Sequence, residues 1–84
     1  MSKKIWKFIL ERKPGSQYLD AEVSFEEVLS FGLDPQGNLC VWCVVTPERR
    51  GFKKIYLGLT GGEPPEEGRF IGTCLDGEYV LHCW

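Results

Sequence analysis

The sequence predicts a mainly β fold: about six or seven short strands in an antiparallel sheet, closed into a small barrel or sandwich, with at most one short helical turn. Three observations carry that prediction. Nearly every apolar stretch alternates with period two rather than 3.6. Turn signals recur at short intervals, at Pro14-Gly15, Asp34-Pro35, Gly61-Gly62 and Asp76-Gly77. Ten glycines in 84 residues suit tight turns and bent strands better than helices. A chain of this length forms a single domain spanning 1–84.

Lys3 to Glu11 reads as the first strand, with Trp6, Phe8 and Leu10 on one side and Ile5, Lys7 and Ile9 on the other. Arg12-Lys13-Pro14-Gly15-Ser16 is a turn, and Gln17 to Val23 alternates again, with Leu19, Ala21 and Val23 opposite Tyr18, Asp20 and Glu22. Ser24-Phe25-Glu26-Glu27 has the spacing of a helix capping box. The stretch before the next turn is too short for a self-supporting helix, so a strand from Glu27 to Leu33 is favoured and one helical turn before it is the alternative. Val28, Ser30 and Gly32 would then lie opposite Leu29, Phe31 and Leu33.

After the turn at Asp34-Pro35-Gln36-Gly37-Asn38, Leu39 to Thr46 is apolar on both faces, the pattern of a central strand covered on both sides. Pro47 is expected to end it, Glu48 to Lys54 to form a polar connection, and Lys54 to Leu59 to form another strand. Thr60 to Gly68 is a loop, because Pro64 and Pro65 with three glycines leave little to pair or pack. Arg69 to Leu75 and Glu78 to Trp84 close the chain as a hairpin turning over Asp76-Gly77.

Composition excludes several classes. With 43% hydrophobic and 26% charged residues the chain is an ordinary globular sequence, neither disordered nor collagen-like. No apolar run approaches a bilayer span and the first residues lack the apolar core of a signal peptide, so a soluble, cytoplasmic protein away from the membrane is expected. A net charge of −2 argues against direct nucleic-acid binding, which needs a strongly basic face.

The four cysteines are read as free. Cys40 and Cys43 are three apart within a strand, so their sulfurs point to opposite faces and cannot converge on a metal. Cys74 and Cys83 would not face each other across their hairpin. Reduced, partly buried thiols imply a reducing compartment. His82 is the only histidine and is expected to be a partly buried packing residue on the face of Ile71, Thr73, Val80 and Trp84. No serine lies in a nucleophile elbow and no cysteine opens a helix, so the residues assemble no catalytic centre, and no cofactor or metal is expected.

Charge is segregated. Asp20, Glu22, Glu26, Glu27 and Asp34 fall in a stretch without a basic residue, Glu63, Glu66 and Glu67 sit in the proline-stiffened loop, and Arg49, Arg50, Lys53 and Lys54 cluster in one connection. Such segregation suits steering toward a charged partner. Glu63, Glu66 and Glu67, with Glu26 and Glu27, are the candidate partner-binding residues. Arg49, Arg50, Lys53 and Lys54 are the alternative, an anion-binding set on an opposite face. For the loop 61–68 the plain alternative is a solvated loop that keeps the protein soluble.

A longer pattern runs through the chain. It comprises Lys4-Ile5-Trp6-Lys7-Phe8, the strand Leu39-Cys40-Val41-Trp42-Cys43-Val44-Val45, Ile55-Tyr56-Leu57-Gly58 with Thr60-Gly61 behind it, Phe70-Ile71-Gly72-Thr73, and Val80-Leu81-His82-Cys83-Trp84. In these features the chain resembles a family of small, uncharacterised proteins encoded by bacteriophages and prophages. Gly62-Glu63 stands where members often carry a histidine after the Thr-Gly pair, a departure that speaks against a histidine site in that loop. The resemblance implies a phage accessory protein working in the bacterial cytoplasm. The function expected is non-enzymatic inhibition of a host defence component, such as a CRISPR effector, with glutamates standing in for nucleic-acid phosphates. A binder or sponge for a nucleotide signal is the alternative, and a structural phage protein the third reading.

Overall fold

A computed structural model describes residues 2–84. Five strands form one antiparallel sheet: β1 (Lys4–Ile9), β2 (Gly15–Leu33), β3 (Leu39–Leu59), β4 (Gly72–Asp76) and β5 (Tyr79–Cys83). No helix occurs among the described residues, so Ser24–Glu27 is strand rather than a capped turn. β3 is the spine of the molecule. β2 pairs along nearly its whole length, while β1 pairs with the first part of its other edge and β5 with the last. β4 hangs on β5 and packs against β2 without ladder bonds, so the sheet curls into a half-barrel and does not close.

The strand count is five because two expected breaks are bulges inside continuous strands. Residues 17–23 and 27–33 belong to one strand, β2, and residues 39–46 and 54–59 to another, β3. Pro47 does not terminate β3. It sits at a bulge where Glu48, Arg49 and Arg50 of β3 stand against Glu22 alone, between the pairs Val23↔Pro47 and Ala21↔Gly51. Such a bulge removes ladder bonds locally and bends the strand, which is where a proline is tolerated.

β2 carries further register shifts between Phe25 and Glu27 and between Val28 and Ser30. Each inserts one residue and so resets the alternation. Phe25, Val28 and Phe31 thereby face the same side although they are three apart, opposite Val45, Cys43 and Val41. Leu29 is an inserted residue and is exposed, not buried with Phe31 as uninterrupted alternation requires.

The core lies on the concave face of the curl: Leu19, Val23 and Val28 of β2, Leu39, Val41, Cys43, Val45, Ile55 and Leu57 of β3, with Leu10, Leu81 and Cys83. The outer face of β3 is covered less than the sequence predicts. Cys40 is buried there, its thiol directed at the Gly32 carbonyl, but Trp42 and Val44 are only half-buried. Cys40 and Cys43 therefore do point to opposite faces. Burial pushes the Cys43 thiol up and that of Cys83, deeper in the core, up to about 12, so both are held as neutral hydrophobes.

The terminal hairpin turns one residue later than Asp76-Gly77 suggests. Asp76 pairs with Tyr79, so Gly77 and Glu78 are the turn residues. Only Gly77 has positive φ, at 62°, the pattern of a type II′ turn with glycine first. The pairs become Cys74↔Leu81 and Thr73↔His82. A shift of one residue in each strand moves every partner by two positions, so the expected faces survive although the partners change.

Candidate functional site

The bend in the β2–β3 hairpin and the loop after β3 together frame an open groove of about 870 Å³. Glu26, Glu27 and Val28 of β2, Lys53, Lys54 and Tyr56 of β3, Pro65 to Arg69 of the loop, and Ile71 and Trp84 contribute to its wall, with Ser16 at its end. Glu26 is there because it is the inserted residue of a bulge, which displaces it from the ladder.

The loop is held by its backbone. Gly62 N donates to the Leu59 carbonyl at 3.0 Å, and the Tyr56 hydroxyl reaches the Glu63 carbonyl at 3.4 Å. Arg69 donates to the Val28 carbonyl at 3.2 Å, which ties the loop's end to β2 across the open side of the curl. Trp84 anchors the floor. Its backbone exchanges two hydrogen bonds of 2.9 Å with Tyr56, and its ring meets Tyr56, Phe70 and His82 with centroids 6.0, 5.5 and 6.3 Å away. Gly58 makes room for this cluster: a Cβ there would stand 3.3 Å from the Trp84 ring.

Of the expected acidic set, Glu26, Glu27, Glu66 and Glu67 converge on this groove and Glu63 does not line it. Of the basic set, Lys53 and Lys54 line the same groove. The two sets therefore do not occupy opposite faces, because the bend brings the middle of β2 and the second half of β3 to one opening. Arg49 is exposed at the bulge, and Arg50 is already engaged, donating to Glu22 and Asp20 at 2.8 Å each. Sequence reasoning missed Arg69, Tyr56 and Trp84. The only signal for the last two is the aromatic content, three tryptophans, three tyrosines and five phenylalanines in 84 residues.

Seven charged side chains line the groove: Glu26, Glu27, Glu66, Glu67, Lys53, Lys54 and Arg69. Among the described residues none of them is in an ion pair. The Glu26 carboxylate accepts from the Thr46 hydroxyl at 2.9 Å, and this bond, with help from Ser24, Lys3 and Arg49, holds its carboxyl below the usual range. His82 is outside the lining. Both of its ring nitrogens are occupied, Nε2 by the Thr60 hydroxyl at 2.8 Å and Nδ1 by that of Thr73 at 2.9 Å, so it clips the loop to β4 as a half-buried packing residue.

A family described as a domain of unknown function (DUF7352) matches residues 1–84. No curated protein and no solved structure matches the chain.

Proposed function

For a chain that belongs to the DUF7352 family over residues 1–84, we propose the role of a non-enzymatic binding protein whose groove engages a charged protein partner. The observation that supports it is the set of charged side chains around an aromatic floor, none of them in an ion pair among the described residues. Charges without an internal counter-ion are free to pair across an interface, and aromatic residues at its centre supply contact area at low entropic cost. Glu26, Glu27, Glu66 and Glu67 meet lysines and arginines of the partner, taking the place that nucleic-acid phosphates would occupy. The partner proposed is a host defence component, such as a CRISPR effector, met by a phage accessory protein in the bacterial cytoplasm.

A second reading is favoured by the groove's size, which falls in the range of ligand sites. Here Lys53, Lys54 and Arg69 would hold the phosphates of a nucleotide and Tyr56 or Trp84 its base. Arg49 and Arg50 take no part, being outside the lining.

One experiment separates the two. Tagged protein is incubated with host lysate, and the retained material is analysed for proteins and for nucleotides. The protein-binding reading expects a retained protein that elutes with rising salt, is lost with Glu26, Glu27, Glu66 and Glu67 changed to glutamine, and survives Lys53→Ala with Lys54→Ala. A retained nucleotide lost in the lysine variant overturns it in favour of the second reading.

A further inference from the structure

We propose that β1 is a docking edge that captures an extended, acidic segment of a partner protein as an additional strand. This surface is separate from the groove, and three features of β1 carry the inference. β1 ends the sheet, with β3 on one side and, among the described residues, no strand on the other. Leu10 N donates to the Leu39 carbonyl at 2.8 Å. Because backbone groups alternate in direction along an antiparallel ladder, Lys4, Trp6 and Phe8 bond toward β3, and Ile5, Lys7 and Ile9 present their N–H and C=O groups to the open edge. Three donors and three acceptors in register are what an incoming strand pairs with.

Between its lysines the edge carries exposed apolar side chains, where an exposed edge strand is usually protected by charge along its length. Ile5 is 65% exposed and Ile9 59%, both on the outer face, where Ile5 lies beside the half-buried Val44. Trp6, 40% exposed, offers a second apolar contact on the inner face. An added strand would cover both faces with its alternating side chains.

Charge selects the occupant. Lys3 and Lys4 enter this edge, and neither makes an ion pair among the described residues. Lys7 is held by Asp34 at 2.7 Å, which compensates its charge and fixes its ammonium beside the edge, so Lys3 and Lys4 supply the uncompensated charge. A second copy of the chain fits poorly. In a twofold antiparallel pairing centred anywhere from residue 5 to residue 7, lysines of the two strands fall opposite or diagonal to one another, which is repulsive. An acidic segment meets the same lysines favourably.

The test uses an acetylated, amidated peptide of about eight residues that alternates glutamate and valine, with amide hydrogen exchange followed on the intact protein. The expected result is exchange slowed about tenfold or more at the amides of Ile5, Lys7 and Ile9, with the other β1 amides unchanged. A peptide with lysine in place of glutamate, and one N-methylated along the pairing edge, should both fail to protect. Ile5→Pro should keep the sheet, since that N–H faces outward, and lose the peptide. If Ile5→Pro does not fold, Lys3→Glu with Lys4→Glu decides instead, and should lose the preference for the glutamate peptide. Equal binding of the lysine or the N-methylated peptide overturns the proposal. So does protection of the same amides that grows with protein concentration alone, which would make the occupant a second copy.

Discussion

Asp34 is the only charged residue buried among those described, and its surroundings explain how it can be. Its Oδ1 accepts from the backbone N–H groups of Gln36 and Asn38 at 3.0 and 2.8 Å, and its Oδ2 from Lys7 Nζ at 2.7 Å and Asn38 Nδ2 at 3.1 Å. These bonds, Lys7 first, hold its carboxyl far below the usual carboxylate range, and the same pair raises the Lys7 ammonium. A depressed carboxylate stabilises the fold above its unfolded value and loses that contribution as pH falls. A raised ammonium contributes below its unfolded value and loses the contribution as pH rises. The pair thus supports the β2–β3 connection between about pH 4 and about pH 10. Denaturant titration should show stability falling below about pH 4, and Asp34→Asn should be less stable than wild type at neutral pH with a flatter acid limb. Burial sets the scale of apolar substitutions in the same way. Leu57 is fully buried, and Leu57→Ala should cost about 2–5 kcal/mol. Trp42 is only half-buried on the outer face, so Trp42→Ala should cost less than the about 3–5 kcal/mol expected of a fully buried aromatic. A Trp42→Ala loss at the upper end of that range in urea unfolding would contradict this reading.

Bulges decide the character of the long strands. At the bend of β3, Glu48 has φ of 76°, a conformation that disfavours any side chain, and Gly51 lies so close to β2 that a Cβ would stand 2.6 Å from the Val23 carbonyl oxygen. The two positions therefore predict opposite results. Glu48→Gly removes a left-handed strain of about 1–2 kcal/mol against a glycine entropy cost of about 0.5–1, for a net gain of about 0.5–1 kcal/mol. Gly51→Ala forces two backbones apart and should cost about 1–3 kcal/mol. Thermal unfolding of both variants checks the pair, and a stabilising Gly51→Ala would mean that the bulge relaxes freely. The bulges also explain why β2 reads as two segments in the sequence. Period two is visible over Gln17 to Val23, but the inserted residues at Glu26 and Leu29 turn the core spacing into threes, which a linear pattern shares with a helix.

For the whole molecule, the unclosed side of the curl is the feature with the most consequence. β4 and β5 are joined to the rest by a short ladder to β3 and by packing on β2, with Arg69 bridging to the Val28 carbonyl. Arg69→Ala should remove a charge-assisted bond of about 1 kcal/mol and loosen that flank selectively. Hydrogen exchange should then accelerate in β4 and β5 while the amides of β3 paired with β2 stay protected. Uniform acceleration would show that the half-barrel opens only as one unit. No helix among the described residues is long and apolar enough to cross a membrane. The groove gathers its charges because the hairpin bends back on itself, so Lys53 and Lys54 share an opening with Glu26 and Glu27 from some 26 residues earlier in the chain.

By itself the sequence determined the β character, the strand faces outside the bulges, the opposed directions of Cys40 and Cys43, the hairpin at the C-terminal end and the identity of most groove charges. These are local matters, set by alternation, turn chemistry and side-chain type acting over a few residues. Only the tertiary structure decided that seven runs are five strands, that the terminal hairpin turns one residue later, at Gly77-Glu78, and that Glu26, Glu27, Glu66 and Glu67 share one groove with Lys53 and Lys54. It also left the outer face of β3 half open and withdrew Arg50 into a pairing with Glu22 and Asp20. Whether a polar insertion is a loop or a bulge depends on whether the neighbouring strand pairs on both sides of it. That energy resides in contacts between distant segments, which no local pattern encodes.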